Sequence, residues 1–236
     1  MIWIRFILHA GMSTIAFRPH HYVGLGNLHL ARNRKPGSGA HGSQPADKGA
    51  GRRAPAKRRT QAERSEEMRS RLARSAFEVI ADRGHSAFRT AAVAAHAGVS
   101  QGAQVHHFAT KDGLTLAALD YGFADASARS AERLAAVSRK DDPIPSLIAD
   151  FHEFFMSRNF WVALDITIDG SKNPDIAPAI RSTVASYRGP LYEQWVDVLI
   201  KAGWSPADSE EIVRTTSALL AGIGMRSLWE DVNVYL

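Results

Sequence analysis

From residue 60 onward, apolar residues recur every three to four positions, which is the period of an amphipathic helix. The clearest stretch begins at Thr60, where Thr60-Gln61-Ala62-Glu63 has the form of a capping box, and ends at Gly84. One face of this predicted helix carries apolar residues at every fourth position: Met68, Leu72, Ala76 and Ile80. No alternating strand pattern with turn signals occurs, so the predicted fold class is all-α.

Two short helix patterns meet at a glycine turn between residues 89 and 108. The first is nearly all alanine and should pack closely against the helix before it. Gly98 stands where a side chain would strain the turn, and Ser100 can cap the helix that follows. That second helix, Gln-Gly-Ala-Gln-Val-His-His-Phe, is polar where a packing helix would carry Leu or Ile. The pattern predicts a helix-turn-helix whose second helix contacts a polar partner.

The remaining pattern is also helical. A long helix is expected over about residues 111–140, followed by an aromatic-rich stretch at 146–168. We predict the next helix over about 173–202, with Asn173 as its cap, and a kink or break at Gly189-Pro190. A last helix should begin at Ser205-Pro206.

Composition excludes several classes of protein. The chain has 236 residues, 45% of them apolar, which is enough for one large or two smaller helical domains. It has no cysteine, so it has neither a disulfide framework nor a thiolate nucleophile. It also lacks any run of about 18 apolar residues, so we expect no transmembrane helix and a cytoplasmic location.

Charge is distributed unevenly along the chain. Residues 1–60 contain 11 Lys and Arg against one acid, a net charge of +10. Residues 61–140 contain 11 against 9, and residues 141–236 contain 7 against 14, net charges of +2 and −7. The basic N-terminal segment suggests contact with a polyanion, although a tail that only improves solubility would have the same charge. Residues 1–59, rich in Gly and Pro near their end, are predicted to be a disordered leader and arm. Because Met12 is an alternative start, much of this leader is expected to be absent from the native protein.

Residues 63–114 resemble the DNA-binding domain of the TetR family of one-component regulators. The first helix ending at a glycine is one element of this resemblance, and the others are specific residues at the family's spacing. They are Ala97-Gly98-Val99-Ser100, Gly102-Ala103, His107-Phe108, Lys111 and Leu114. Beyond residue 115 the resemblance is only architectural.

The chain departs from the family pattern at three places. Val105 stands where the family usually has a tyrosine that bonds a phosphate, and Gln104 where it often has leucine. Phe88 and Arg89 occupy the usual Ser or Thr cap of the helix before the turn. We therefore expect the tyrosine's phosphate contact to pass to the two histidines that follow Val105.

The resemblance implies a DNA-binding surface on the second helix of the motif. Glutamine can pair with adenine in two places, so Gln101 and Gln104 are expected to contact base edges. Ala103 could meet a thymine methyl group, and the histidine pair with Lys111 could contact phosphates. The full predicted surface is Arg89, Ser100, Gln101, Gly102, Ala103, Gln104, His106, His107 and Lys111. The alternative for His106 and His107 is a simple capped helix end.

The resemblance also implies two domains and two further sites. Residues 60–114 would bind DNA, and residues 115–236 would bind an effector and form a homodimer. The expected effector pocket contains Phe151, Phe155, Trp161, Leu164, Asp165 and Ile168; the expected dimer interface contains Trp195, Ala218, Ala221, Gly222 and Met225. The alternatives are ordinary core for the pocket residues and packing within one subunit for the small ones.

The implied function is a repressor that binds a palindromic operator on double-stranded DNA as a dimer. A small-molecule effector, bound better by the form that does not bind DNA, would release it. Two other classes stay open: a constitutive DNA-binding protein without effector, and a small helical enzyme. The sequence places no catalytic set, no cofactor motif and no cluster of metal ligands.

Overall fold

A computed structural model describes residues 60–138 and 142–230, and every regular element within those ranges is a helix. The all-α prediction is therefore confirmed. The predictions for residues 1–59 lie outside the described residues. The helices are α1 (Gln61–Arg83), α2 (Thr90–Ala97), α3 (Gln101–His107), α4 (Lys111–Ala136), α5 (Ile144–Phe155), α6 (Arg158–Gly170), α7 (Ala177–Lys201) and α8 (Pro206–Arg226).

The first three helices begin and end where the sequence pattern predicted, and α4 begins where predicted. The Thr60 hydroxyl accepts from the Glu63 N–H, and the Glu63 carboxylate accepts from the Thr60 N–H, which completes the capping box. Gly98 has φ 67°, a left-handed conformation that L side chains rarely adopt, and it turns the chain from α2 into α3. The hydroxyls of Ser100 and Thr110 cap α3 and α4.

Three predicted boundaries are wrong. The Asn173 side chain accepts from the Asp175 N–H in a turn, and α7 begins only at Ala177, with Pro178 in its first turn. Helix α7 also continues through Pro190, so the predicted break is wrong: proline removes one backbone hydrogen bond, while packing against α4 and α8 supports the helix. Helix α4 ends at Ala136, four residues earlier than expected.

One group of buried residues joins the first four helices to α6 and α7. In this group α1 packs on α2, α3, α4 and α6, while α4 packs on α7. Phe88, in the α1–α2 link, belongs to this group and is fully buried. We call the group the N-terminal cluster: Leu72, Ala76, Phe77, Val79, Ile80, Phe88, Val93, Phe108, Leu114, Ala118, Leu119, Phe123, Val162, Ala163, Ile166, Ile176 and Ile180.

A second group of buried residues joins α5 to α7 and α8. We call it the C-terminal cluster: Ile144, Leu147, Phe151, Phe155, Phe160, Trp195, Leu199, Ile212, Val213 and Leu220. Helix α8 approaches α5 closely at Gly224, where an added Cβ would lie 2.8 Å from the backbone oxygen of Phe155. Glycine at this position therefore allows the two helices to pack.

Helix α4 contributes to both ends of the molecule. Its first half belongs to the N-terminal cluster, and its second half packs on α5. At the surface, Arg158 at the start of α6 donates to Glu78 and Asp82 of α1, at 2.5 Å each. Such exposed pairs contribute at most about 1 kcal/mol each, so burial is what holds these helices together. Within the described ranges, no helix combines the length and apolar character needed to cross a bilayer.

Candidate functional site

Helix α3 is held at both ends against the helices before it. Its first turn is capped by the Ser100 hydroxyl, which accepts from the Ala103 N–H at 3.1 Å. At its last turn, Arg69 of α1 donates to the carbonyl of His107 at 3.0 Å, and its guanidinium lies 4.5 Å from the centre of the Phe108 ring. The amphipathic pattern of α1 did not single out Arg69, because the role depends on where α3 ends in space.

The outer face of α3 is open to solvent. Gln101, Gly102, Val105 and His106 are exposed, and Val105 is 48% exposed although it is apolar. Ala103 and His107 are half-buried at the edges of this face. A seven-residue helix with one open face of small and polar side chains has the dimensions to enter a DNA major groove.

Gln104 does not belong to this face, so the prediction that it contacts bases is wrong. Its side chain is 1% exposed, and its amide donates to the carbonyl of Phe108 at 2.6 Å. This bond satisfies a carbonyl at the C-terminal end of α3, where helices leave acceptors free. The resemblance carried the signal for this role, because the family often places a leucine there.

The remaining predicted DNA contacts surround α3 but are partly used within the chain. Arg89 is exposed, yet its guanidinium donates to the carbonyls of Ser86 and Phe88 at 3.0 and 2.9 Å. Lys111 is half-buried, with its ammonium 5.7 Å from the centre of the Phe88 ring. The His106 and His107 rings lie edge to face, 5.0 Å apart. These positions suit phosphate contact better than base contact, since none stands in the middle of the open face.

A polar joint connects the link after α1 to the C-terminal helices. The backbone N–H of His85 donates to Asp165 at 2.6 Å, and its Nδ1 lies 2.7 Å from a carboxylate oxygen of Asp169. Its Nε2 lies 3.1 Å from the hydroxyl of Thr115 in α4. The hydrogen bond from His85 lowers the pKa of Asp169, so this carboxylate is ionised and accepts. His85 could not be singled out from the sequence, because its partners lie 30 to 84 residues away.

A small, partly open cavity lies between α4, α5 and α7. Its volume is about 20 Å³, room for about one water molecule. The lining residues are Phe123, Ala126, Ser127, Arg129, Ser130, Asp150, Phe151, Glu153, Phe154, Tyr187, Arg188 and Leu191. The cavity therefore combines aromatic walls with four charged side chains, two of each sign.

The predicted effector pocket coincides with this cavity only at Phe151. Phe155 is buried in the C-terminal cluster, and Trp161 and Leu164 pack at the edge of that cluster. Asp165 bonds to His85, and Ile168 is 52% exposed. The prediction is therefore wrong for these last two residues. The aromatic-rich sequence pattern favoured residues of α5 and α6 for the pocket. The cavity is instead formed by faces of α4, α5 and α7, which come together only when these helices pack.

The predicted dimer residues divide into one buried residue and an open face. Trp195 is 0% exposed within its own chain, and its indole N–H donates to Asp150, so its assignment to an interface is wrong. Ala218 and Met225 are exposed, and Ala221 and Gly222 are partly so. Large apolar side chains are also exposed on α7 and α8 and in the residues that follow each helix: Ile200, Trp204, Leu219, Leu228 and Trp229.

No group of three or more His, Asp or Glu side chains in residues 60–138 and 142–230 is arranged to hold a metal ion.

The comparisons with known proteins agree with this architecture. Residues 72–118 match the family model of bacterial regulatory proteins of the tetR family. The HTH-type transcriptional regulator CymR of Pseudomonas putida is 37% identical over 174 residues, which span 74% of this chain and 86% of that protein.

Among solved structures, a transcriptional regulator from Rhodococcus sp. Rha1 superposes with a TM-score of 0.52 at 27% identity, covering 68% of this chain and 83% of its own. A regulator from Saccharomonospora viridis in complex with choline has a TM-score of 0.59 at 23% identity, covering 72% and 92%. At 23% identity, the likeness to the regulator from Saccharomonospora viridis shows a shared fold.

The relative from Pseudomonas putida matches well beyond the helix-turn-helix, since the aligned length exceeds that of the DNA-binding helices about threefold. Sequence identity, the family model and the fold therefore agree over both the motif and the helices that follow it. The chain belongs to the TetR family of DNA-binding transcriptional regulators.

Proposed function

We propose that this protein is a repressor that binds a palindromic operator as a homodimer and is released by a small-molecule effector. The observation that carries the proposal is the open face of α3, on which Gln101 and Gly102 of the first turn are exposed to solvent. Residues 60–114 form that DNA-binding unit, and residues 115–236 bind the effector and the second subunit. The protein acts in the cytoplasm, where the chromosome of a bacterium is found.

Within the DNA-binding unit, we assign base contact to the start of α3. Gln101 can form two hydrogen bonds with adenine, and Gly102 lets the backbone approach a base edge. Ser100, Ala103, His106 and His107 border this face; we assign the histidines, with Arg89 and Lys111, to phosphates, which position the helix without specifying sequence.

A second subunit would cover the exposed apolar residues of α7 and α8. Gly222 has no atom within 4 Å of an added Cβ, and its neighbours Ala218 and Met225 are exposed on the same helix. Small residues at this spacing allow a helix of another subunit to approach closely. A dimer would also place two α3 helices on one operator, which a single short helix binds only weakly.

The effector would bind in the cavity and act through α4. Three residues separate the end of α3 from the start of α4, and the second half of α4 lines the cavity. A ligand larger than one water must displace these walls, so it binds the displaced form better and shifts the equilibrium away from the DNA-bound form. The His85 joint ties the same helix, through Thr115, to α6.

Selection of bound DNA from a random pool tests this proposal. The full chain should enrich one palindrome, with half-sites about one helical turn apart. Enrichment of no palindrome, together with binding that depends mainly on salt concentration, would instead indicate a constitutive, nonspecific DNA-binding protein.

A variant pair then tests the role of α3. Gln101→Ala should relax the preference at one base of each half-site, with a loss of roughly 1 to 3 kcal/mol for the preferred base. The matched control is Gln194→Ala, because Gln194 is also an exposed helical glutamine but lies on α7. An equal loss on every sequence with Gln101→Ala would show that this residue does not contact bases.

A further inference from the structure

Arg188 of α7 borders the cavity and is surrounded by aromatic rings. The carbon of its guanidinium lies 4.7 to 5.5 Å from the centres of four rings: Phe151, Phe154, Phe155 and Tyr192. Its hydrogen bonds go to two hydroxyls, those of Tyr192 at 2.7 Å and Ser217 at 3.2 Å. In the described ranges, no carboxylate pairs with this charge. A guanidinium has five N–H donors, so several remain available.

The other charged groups around the cavity already have partners of opposite sign. Glu153 accepts from Arg133 at 2.6 Å and lies 3.1 Å from Arg129. Asp150 accepts from the Ser130 hydroxyl at 2.6 Å and the Trp195 indole at 2.7 Å, and its second oxygen is 3.9 Å from Arg133. Asp150 is thus satisfied from its own chain, and Arg188 is the charge with unused capacity.

The tyrosine in the cavity wall adds no charge. The Tyr187 hydroxyl donates to Asp120 at 2.8 Å. Burial and the neighbouring Asp120 carboxylate raise the pKa of Tyr187 to about 12, so the phenol is neutral at physiological pH. Its ring stacks on Phe123, with centres 5.6 Å apart, and extends the apolar wall.

Aromatic rings of this kind attract cations. In this protein, however, the cation they surround is an arginine of the same chain. A ligand cation would have to approach a positive charge that already occupies the ring faces. An anion would instead find a partly desolvated, unpaired guanidinium whose planar N–H groups match two oxygens of a carboxylate.

We infer that the effector is an organic carboxylate with an apolar body, and that Arg188 binds its carboxylate while the aromatic wall of α4, α5 and α7 takes the body. This inference rests on the proposed function, because it names the chemical class of the effector. Arg129 and Glu153 border both the cavity and a second, outer cleft, so the ligand would enter by separating this ion pair.

The wild-type full chain provides the first test, by calorimetric titration without DNA. The probes form two matched series: benzoate, benzamide and benzylamine for a flat body, and octanoate, octanamide and octylamine for a flexible one. In at least one series the carboxylate should bind roughly 10- to 100-fold more tightly than its amide, as expected for hydrogen bonds to a charged group. The better series identifies the shape of the body.

Two substitutions then test Arg188 itself. Arg188→Gln should abolish the preference for carboxylate over amide, and Arg188→Lys should keep only part of it, because lysine cannot form the bidentate contact. Arg181→Gln is the matched control, since Arg181 is an exposed arginine of the same helix. A thermal melt of each variant shows whether it folds; if Arg188→Gln does not, the lysine variant and the wild-type series still decide the question.

The outcomes separate this inference from the proposed function. Equal binding of acids and amides, tighter binding of the amines, or full carboxylate preference in Arg188→Gln would each overturn the inference. The complex of the protein with the selected operator is then titrated with the preferred carboxylate, which should release the protein from the DNA. If no operator is selected but carboxylates bind through Arg188, the proposed repressor function fails and the ligand class stands. If an operator is selected and carboxylates show no preference, the ligand class fails alone.

Discussion

The N-terminal and C-terminal clusters are both buried and both helical, but they use polar side chains differently. Around the N-terminal cluster, polar groups end helices or join them: Gln104 bonds the carbonyl after α3, and His85 joins the link after α1 to α4 and α6. Around the C-terminal cluster, Asp150 and Arg188 border a cavity and stand among aromatic rings.

The difference indicates two physical tasks. The N-terminal cluster holds α3 in one geometry, which a DNA-reading helix requires. Under the proposed function, the C-terminal cluster keeps polar groups beside a space that a bound effector would enlarge. Four substitutions, in order of decreasing effect, test whether this division of tasks is correct.

The largest effect is expected from Phe88→Ala, in the middle of the N-terminal cluster. Removing a fully buried ring should lower the free energy of unfolding by about 3 to 5 kcal/mol, through lost burial and a cavity. DNA binding should fall with it, because Phe88 belongs to the buried group that joins the helix-turn-helix to α1 and α4. Denaturant unfolding and operator titration measure the two effects. Val105→Ala is the exposed control and should change stability by less than about 0.5 kcal/mol.

If Phe88→Ala destabilised the chain but left DNA affinity intact, α3 would not depend on the N-terminal cluster. The N-terminal cluster would then not have the task of holding α3 in place.

The second effect concerns the polar network of the C-terminal cluster. Trp195→Phe keeps the ring but removes the indole N–H that donates to Asp150. The buried carboxylate would lose one of its partners, at a cost of about 1.5 to 3 kcal/mol. Trp204→Phe is the matched control, because Trp204 is an exposed tryptophan at the end of α7. Thermal unfolding compares the two; equal and small losses would show that Asp150 does not need this donor.

The third effect distinguishes structural support from base contact at Gln104. Gln104→Ala should destabilise the chain by about 0.5 to 1.5 kcal/mol, through loss of the bond to Phe108. Gln104→Leu should recover part of this by filling the buried space. With either variant, DNA affinity should fall equally on all sequences. A set of operator variants measures base preference. If preference changed at one base only, Gln104 would contact that base after all.

The smallest effect is expected at His152 of α5. Burial lowers the pKa of His152 from its usual 6.5, and its Nε2 has no partner within the described ranges. The unfolded chain therefore binds this proton at higher pH than the folded chain does. As pH falls below 6.5 this difference should reduce stability, and the loss should end below the folded-state pKa. His152→Leu should flatten this part of the curve of unfolding free energy against pH. An unchanged slope would show that another group causes it.

Local patterns were sufficient for much of the fold. The caps at Thr60, Ser100 and Ser205, and the turn at Gly98, each depend on atoms within four residues, so they could be predicted correctly from the sequence. Pro190 was misjudged, because the packing that keeps α7 continuous comes from other helices.

The candidate sites also differ in how far the sequence alone could predict them. The face of α3 was predicted from the helix-turn-helix spacing, except at Gln104, whose chemistry suggested a base contact while its register placed it inside. The cavity could not be predicted, because its walls come from three helices separated by tens of residues. Trp195 and Asp165 were misassigned for this reason, since each has a partner 45 or more residues away.

By itself, therefore, the sequence determined the helical class, the positions of the DNA-binding helices and the family, because these follow from period, capping and motif spacing. The tertiary structure decided which polar side chains are used inside the molecule and which stay available. Burial and partners belong to no single residue; they arise when distant helices pack. That is why Gln104 supports α3 from within, and why Arg188, one arginine among many in the sequence, is the cavity-lining charge that has no carboxylate partner among the described residues.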